Sequence, residues 1–260
     1  MGRVACPVHP LSDRRTRPCR ARAAVTRRRG IATRTLIKIC GVCRPQDARA
    51  AVEAGADAVG VVLAPSRREV SIDEAVDILC EVPEGVARVG VFVDADPAYV
   101  AQAVRELDLD RVQFHGSESA VACSGAPAPV VRVFRVGAGF DPVAMESYRG
   151  AVEALLLDTL APGEDGGSGA TFDWDAAAGV PDFAPLWLAG GLTPDNVGRA
   201  LRRLRPAGVD VSTGVEARVR EKDPDKVRAF CEAVRASDEE LAWETPTAGG
   251  APSGPDEETR

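Results

Sequence analysis

Side chains that can move protons stand directly after short apolar runs of the chain. Cys40 follows the run Leu36–Ile39, and Asp158 follows Ala154–Leu157. Thiols and carboxyl groups are among the side chains that act as acids or bases in enzymes. An arginine pair that ends at Arg68 follows a third run and offers a cation for an anionic group. The pattern predicts one thiol, one carboxylate and one arginine in a common site.

Small residues follow two further apolar runs near the end of the sequence. Gly190 and Gly191 come after one run, and Ser212, Thr213 and Gly214 come after the next. Backbone N–H groups can approach an anion closely where the chain carries glycine or small side chains. These two loops therefore predict a phosphate-binding site, and hence a small phosphorylated substrate.

Eight short apolar runs recur at intervals of about two dozen residues, as expected of strands joined by crossover helices. Runs this short, rich in Val, Ile and Leu and without alternation, are typical of parallel strands buried on both faces. Eight of them predict a single (β/α)8 TIM barrel, in which chemistry lies where the strands end. The runs are Leu36–Ile39, Ala58–Leu63, Ala87–Val93, Arg111–Phe114, Val130–Phe134, Ala154–Leu157, Leu186–Ala189 and Gly208–Val211.

Helix start signals lie between the runs. Ser71 with Glu74 has the form of a capping box, and a capping residue precedes Pro at Asp96, Thr193 and Asp223. A doubly wound open sheet is the alternative fold. It would need a glycine-rich fingerprint after the first strand, which the segment at 40–43 lacks.

Charge divides the chain into three regions. Residues 1–34 carry ten Arg and one acid, residues 35–236 are acidic, and residues 237–260 hold seven acids with one Arg. The two ends lack hydrophobic periodicity, which is typical of disorder. We therefore expect a disordered basic tail at 1–34, a catalytic barrel at 35–236 and a disordered acidic tail at 237–260.

Composition limits the location and the partners. The seven cysteines are an odd number without a secretory signal, which indicates reduced thiols and a cytoplasmic protein. No apolar stretch approaches the ~20 residues of a membrane span, and 5% aromatic residues disfavour a nucleic-acid module. The basic tail is interpreted as an extension that does not fold; the alternatives are a transit peptide and a tether to nucleic acid or to an anionic membrane. The chain is expected to be a monomer or a homodimer.

The motifs, taken in order, resemble phosphoribosylanthranilate isomerase of tryptophan biosynthesis from about residue 36 to 235. Any one string is weak, but the ordered set is specific. The matching strings are Lys38-Ile39-Cys40-Gly41, Gly55-Ala56-Asp57-Ala58-Val59-Gly60, Gly90-Val91-Phe92-Val93, Gln113-Phe114-His115-Gly116, Leu157-Asp158-Thr159, Gly167-Ser168-Gly169, Leu188-Ala189-Gly190-Gly191-Leu192 and Val209-Asp210-Val211-Ser212-Thr213-Gly214-Val215-Glu216.

The resemblance implies a cofactor-free and metal-free Amadori rearrangement, the third step from chorismate to tryptophan. N-(5-phosphoribosyl)anthranilate would become 1-(o-carboxyphenylamino)-1-deoxyribulose 5-phosphate. It also implies that Cys40 is the general base, that Asp158 is the general acid and that Arg68 binds the substrate carboxylate. The two glycine-containing loops would bind the phosphate.

The sequence departs from the family pattern in two loops. The loop that ends at Arg68 is one residue shorter than usual, so Arg67 is an alternative partner for the carboxylate. Val219 and Arg220 stand where the family usually has Pro-Gly, which changes the loop beside the expected phosphate site.

Two other functions compete with this interpretation. Cys40 and Cys43 form a C-x-x-C, which would suit dithiol redox chemistry on a barrel that had lost its catalysis. A related isomerase of the histidine pathway would use two aspartates, whereas the first strand here ends in Cys. We therefore favour the tryptophan-pathway substrate and interpret Cys43 as a packing residue.

Several polar residues near the motifs receive structural interpretations. We expect His115 to be structural or to support the site, and Asp210 to orient the phosphate loop, with a catalytic role as the alternative for each. Asp57 is expected to act as a local cap. Cys80 and Cys231 fall on apolar helix faces and are expected in the core. Arg88, Arg111 and Arg132 are expected to form salt bridges at the barrel ends.

Overall fold

Eight parallel strands close into a barrel in the computed structural model, which describes residues 34–137, 139–158 and 179–243. Each strand pairs with the next in sequence, and β8 pairs with β1. The predicted runs agree with the strands to within one residue at each end. The strands are β1 (Leu36–Ile39), β2 (Ala58–Val62), β3 (Ala87–Phe92), β4 (Arg111–Phe114), β5 (Val130–Arg135), β6 (Ala154–Asp158), β7 (Leu186–Ala189) and β8 (Gly208–Val211).

Six α-helices lie in the described connections, together with a 3-10 helix between β5 and β6 and a short 3-10 turn, Thr213–Val215, after β8. The capping box at Ser71 and the caps at Asp96 and Asp223 are confirmed by hydrogen bonds from backbone N–H groups to their side chains. The helices are α1 (Pro45–Glu53), α2 (Ile72–Leu79), α3 (Pro97–Leu107), α4 (Ala120–Ser124), α5 (Val197–Leu204) and α6 (Pro224–Trp243), with the 3-10 helix at Pro142–Tyr148.

The predicted helix start at Thr193 is wrong. Helix α5 begins at Val197, because Asn196 organises a turn ahead of it. The Asn196 side chain accepts a hydrogen bond from the Thr193 N–H at 2.8 Å and donates one to the Gly191 carbonyl at 2.8 Å. The turn thereby fixes the loop that follows β7.

Strand register determines which side chains fill the barrel. Lys38 on β1 is in register with Asp210 on β8 and with Ala58 on β2. Residues in register on parallel strands point to the same face, and every second residue along a strand shares that face. Lys38 and Asp210 therefore point inward, while Ile37 and Ile39 pack against the helices.

The interior of the barrel holds an apolar cluster that is separate from the main hydrophobic core. Trp187 lies against Gly208, where an added Cβ would come 2.9 Å from the indole. The large Trp187 side chain therefore packs against a residue that has no side chain. Side chains packed in this way fill the interior of the barrel. The cluster comprises Val131, Val133, Ala154, Leu156, Trp187 and Ala189, with Leu36 and Ala207 against it.

Asp57 links the amino end of β1 to helix α6 and is not the local cap that we expected. Its carboxylate accepts hydrogen bonds from Ile37 N–H, from Arg34 and from Arg235 of α6. The Asp238 carboxylate of α6 likewise accepts two hydrogen bonds from Thr35, one from its N–H at 2.8 Å and one from its hydroxyl at 2.6 Å.

The expected domain boundary at 236 falls inside a helix. Helix α6 continues to Trp243, Ser237 is buried and Asp238 binds Thr35. The acidic composition of 237–243 therefore belongs to an ordered helix end. The disorder expected for 1–33 and 244–260 lies outside the described residues.

A short hairpin follows β8, formed by β9 (Glu216–Arg218) and β10 (Glu221–Lys222). Arg220 in its turn has φ of 70°, the left-handed conformation that favours glycine. This explains the glycine that the family resemblance leads one to expect there. The Arg220 side chain donates to the Glu69 carbonyl at 2.6 Å and so ties the hairpin to the loop after β2.

The salt bridges expected at the barrel ends are confirmed, between Arg88 and Asp108, Arg111 and Glu153, and Arg132 and Glu118. Within the described residues, no helix is both long and apolar enough to cross a membrane.

Two truncations test the boundary of the folded domain. A chain that ends after residue 236 loses Asp238 and its two hydrogen bonds to Thr35, whereas a chain that ends after residue 243 keeps them. We expect the shorter chain to unfold at a Tm several degrees lower, since about 1–3 kcal/mol is lost with each charged hydrogen-bonding partner. Thermal melts that coincide for the two chains would contradict this role of α6.

Candidate active site

The thiol of Cys40 lies at the carboxyl end of β1, on the inward face. Its N–H continues the ladder to Val211 O at 2.8 Å, and its side chain is buried with 9% exposure. Gly60 on β2 faces it: a Cβ there would come 3.1 Å from Cys40 Sγ and 3.1 Å from Lys38 Nζ. The bare backbone of Gly60 therefore provides the space in which the thiol and the ammonium lie side by side.

Lys38 reaches up the barrel interior from the middle of β1. Its ammonium is fully buried and donates to Asp210 Oδ2 at 2.7 Å, so the register pair forms a buried ion pair. Within the described residues Asp210 is bonded to Lys38, and its expected role in orienting the phosphate loop stays a prediction. Its other oxygen, Oδ1, is buried and accepts no hydrogen bond from the described residues, which leaves an acceptor for a ligand.

Burial and nearby charges act in opposite directions on these groups. Burial raises the pKa of the Cys40 thiol and the charge of Asp210 raises it further, while Lys38 and Lys222 oppose both. For Lys38, burial lowers the pKa, but the charge of Asp210, the hydrogen bond to it and the interaction with Cys40 together outweigh burial and leave the pKa above its ordinary value. The lysine is thus held as an ammonium, and the unliganded cysteine favours its thiol form.

Arg68 spans the mouth of the site from β2 to β8. Its guanidinium holds Glu216 with two hydrogen bonds of 2.7 and 2.8 Å and donates to Thr213 Oγ1 at 3.1 Å. The second amino group, NH1, makes no hydrogen bond to the described residues. Gly41 allows this position, because a Cβ there would overlap the Arg68 side chain. Arg67 is exposed, so the geometry favours Arg68 over Arg67 as an anion partner in the site.

A second buried lysine lies beneath the loop after β8. Lys222 donates to Ser212 O at 3.0 Å and to Glu216 Oε1 at 3.2 Å. Burial lowers the pKa of Lys222, in spite of the opposing charge of Glu216. The loop that sequence analysis assigns to phosphate therefore has a cation directly behind it.

The two predicted phosphate loops are in contact. Gly190 and Gly191 have φ of 83° and 61°, a left-handed conformation that glycine adopts without strain. A Cβ on Gly214 would overlap the carbonyl of Leu192, so the loops meet without room for a side chain. Thr213 begins a 3-10 turn after Ser212. The structure thus brings all five predicted phosphate residues together.

Asp158 ends β6 on the inward face, in register with Ala189 of β7. Its Oδ2 lies 3.1 Å from His115 Nε2, although Nε2 donates no hydrogen bond within the described residues. A protonated Asp158 could instead donate to that nitrogen. His115 therefore supports the carboxyl group, in agreement with its sequence interpretation. The glycine-rich loop at 166–169 lies outside the described residues.

The other cysteines in the described part of the chain do not form a second reactive group. Cys43 Sγ points to the carbonyls of Gly41 and Arg68, at 3.5 and 3.4 Å, and burial raises its pKa. Cys231 is buried as predicted, whereas Cys80 is exposed because it lies after the last turn of α2. Among the described residues, no group of three or more His, Cys, Asp or Glu could hold a metal ion.

Sequence analysis missed Lys38, Glu216 and Lys222 as parts of the site. One signal was available for Lys38, a charged residue in the middle of a buried strand, which needs a partner. The pairing of Lys38 with Asp210 depends on the closure of β8 against β1, which local sequence patterns do not reveal.

Replacing Glu216 tests the ion cluster. Burial alone would raise the pKa of Glu216, but hydrogen bonds and charges from Arg68 and Lys222 hold it below its ordinary value. A carboxylate with a lowered pKa stabilises the fold fully above its unfolded pKa and loses this effect as the pH falls through its folded pKa. Glu216→Gln should therefore lower the free energy of unfolding by about 3 kcal/mol at pH 7, and by less below pH 4.

Urea unfolding at several pH values measures this difference. Glu221→Gln is the matched control, since Glu221 is in the same hairpin but pairs near the surface with Arg218. Its loss should be smaller. Equal losses for the two variants, or a Glu216→Gln loss that does not shrink in acid, would refute the proposed coupling.

Comparison with known proteins places these features in one family. The family model described as N-(5'phosphoribosyl)anthranilate (PRA) isomerase matches residues 37–233. An N-(5'-phosphoribosyl)anthranilate isomerase of Pseudomonas fluorescens is 45% identical over 207 residues, covering 78% of this chain and 97% of the relative. The crystal structure of phosphoribosyl anthranilate isomerase from Thermotoga maritima is 38% identical with a TM-score of 0.73, covering 78% of this chain and 99% of that one.

A second solved structure carries a ligand. It is a phosphoribosyl anthranilate isomerase in complex with reduced 1-(o-carboxyphenylamino)-1-deoxyribulose 5-phosphate, 36% identical with a TM-score of 0.70, with coverage of 78% and 99%. The strand-end residues, the barrel and these matches over nearly the full length of the relatives lead to one conclusion. The chain belongs to the N-(5'-phosphoribosyl)anthranilate isomerase family.

Proposed function

We propose that Cys40 and Asp158 divide the proton transfers of the isomerase reaction. The chain is an N-(5'-phosphoribosyl)anthranilate isomerase of tryptophan biosynthesis, as the resemblance predicted. The supporting observation is that both side chains end strands on the inward face of the barrel, in different electrostatic surroundings. Cys40 lies beside a buried ammonium, and Asp158 lies beside an imidazole.

The reaction begins with opening of the ribose ring. Protonated Asp158 gives its proton to the ring oxygen, and the C1–O bond breaks to form an iminium between C1 and nitrogen. The neighbouring His115 nitrogen can accept a hydrogen bond from the acid and so orient its proton before transfer. Charge on the departing oxygen is neutralised as the bond breaks.

Cys40 acts on the opened substrate. Its thiolate takes the C2 proton, the electrons of that C–H bond form a C1=C2 double bond, and the iminium nitrogen recovers its pair. Proton return to C1 and loss of the C2 hydroxyl proton then give the aminoketose. No oxidant or reductant is needed, because the electrons move only within the substrate.

Anion binding positions the substrate between these groups. Arg68, already oriented by Glu216, has an amino group left to bind the substrate carboxylate. The phosphate fits the N–H groups of Gly190 and Gly191 and of the turn at 212–214, with Lys222 behind them. Both anions thereby lie on the side of the barrel that carries Lys38, Arg68 and Lys222.

Cys40→Ser tests the base. A hydroxyl is far less acidic than a thiol, so kcat should fall by about 10²- to 10⁴-fold with native circular dichroism. Cys43→Ser is the control and should keep near wild-type kcat, since Cys43 serves packing. Loss of activity in both variants would favour the dithiol alternative, and full activity in Cys40→Ser would disprove the assignment. The assay follows the fall in fluorescence of an aminoaldose made in situ from anthranilate.

Asp158→Asn tests the acid. The amide cannot give a proton to the ring oxygen, so turnover should fall by at least about 10²-fold while a reduced product analogue still binds. Asp77→Asn, an exposed carboxylate on α2, is the control and should leave both quantities unchanged. Turnover of Asp158→Asn near the wild-type rate would place the acid elsewhere.

Gly191→Val tests the phosphate loop. The side chain would both strain a left-handed residue and block approach to the N–H groups, so KM should rise more than kcat falls. Gly85→Val is matched, because Gly85 is also left-handed but precedes β3 at the opposite end of the barrel. A KM change of the same size in both variants would argue against phosphate binding at Gly191.

A further inference from the structure

We propose that Lys38 is a positioning residue for Cys40: its buried ammonium stabilises the thiolate, and Asp210 keeps that ammonium charged inside the barrel. The inference deepens the proposed function and rests on Cys40 as the base. It concerns a residue that would not touch the reacting carbon atoms and would act only through the sulfur.

The geometry that carries this inference is the packing around Gly60. Lys38 has no exposed surface, and its Nζ donates to Asp210 Oδ2 at 2.7 Å. A Cβ on Gly60 would lie 2.9 Å from Lys38 Cε, 3.1 Å from its Nζ and 3.1 Å from Cys40 Sγ. The Lys38 ammonium and the Cys40 sulfur therefore lie together against the backbone of Gly60, and the same ammonium is bonded to Asp210.

Four charged groups from different elements act on the sulfur: Lys38 of β1, Asp210 of β8, Lys222 of β10 and Arg68 of the loop after β2. Lys222 is hydrogen-bonded to Glu216 and Ser212, and Arg68 is hydrogen-bonded to Glu216 and Thr213. Lys38 is the cation whose Nζ lies together with Cys40 Sγ against the bare backbone of Gly60. It is therefore the group best placed to compensate a charge on sulfur.

A buried thiolate needs such compensation. Transfer of an isolated anion into a protein interior is strongly unfavourable, and the group otherwise remains neutral. A buried lysine would likewise lose its proton without a partner, which explains the need for Asp210. When the thiolate takes the C2 proton, the sulfur becomes neutral, the positive charge of the substrate iminium is cancelled, and the Lys38–Asp210 pair remains.

The test measures the reactivity of Cys40 without any substrate. Iodoacetamide alkylation of Cys40, resolved from the other cysteines by peptide mass spectrometry, is followed from pH 5 to pH 10. Lys38→Gln keeps a hydrogen-bond donor for Asp210 but removes the charge. We expect its alkylation profile to move to higher pH by at least about one unit, which is tenfold slower reaction at pH 7.

Lys226→Gln is the matched control, because Lys226 donates to the Glu216 carbonyl and does not act on Cys40. Its profile should coincide with that of the wild type. The kcat of Lys38→Gln should also be low at pH 7 and recover as the pH rises, which a merely structural defect would not do. Coincident profiles for Lys38→Gln and wild type would overturn the inference.

A second pair of variants applies if Lys38→Gln does not fold. Asp210→Asn and Lys38→Met/Asp210→Asn differ only at residue 38, and the double variant leaves no unpaired buried carboxylate. The double variant should alkylate at higher pH than Asp210→Asn, and equal profiles would overturn the inference. Because alkylation uses no isomerase substrate, failure of this test is distinct from failure of the proposed function, which Cys40→Ser decides.

Discussion

The ion pair between Lys38 and Asp210 lies on the seam where β1 and β8 close the barrel. Its members come from opposite ends of the sequence and are Cα neighbours in the strand register. Two charges buried together are tolerable only when they meet with good geometry, and each alone would be costly. The closure of the barrel and the placement of the ammonium beside Cys40 therefore depend on the same contact.

The lysines of this chain are concentrated at that seam. Only Lys38, Lys222 and Lys226 occur among 32 basic residues, and all three donate to groups on β8 or on the segment that follows it. An ammonium is compact and fits between a carboxylate and a small neighbour such as Gly60, where the planar guanidinium would not. Arg68, which approaches from the mouth, uses its fork for a bidentate contact with Glu216. The shapes of the two cationic groups thus explain why a lysine lies inside the barrel and an arginine lies at its mouth.

Sequence patterns predicted the strands and the residues at their ends, because both are local consequences of burial and chain direction. Cys40 and Asp158 were found in this way, as were the small residues of the phosphate loops. The roles of Lys38 and Asp210 were not, because their contact depends on how far β8 is shifted against β1. The start of α5 was misplaced for a similar reason: Asn196 competes for the turn through a side chain contact that Thr193-Pro194 does not reveal.

The distribution of charge across the barrel mouth matches the demands of the reaction. The side formed by β1, β2 and β8 holds the ammonium beside Cys40 together with Arg68 and Lys222, the cations that we propose face the two substrate anions. The opposite side, formed by β4 and β6, gives Asp158 an imidazole as its neighbour. A base is served by nearby positive charge, whereas the proposed acid has a neighbour that can orient its proton. One closed sheet thus places the two proposed proton-transfer groups on strands with different neighbours.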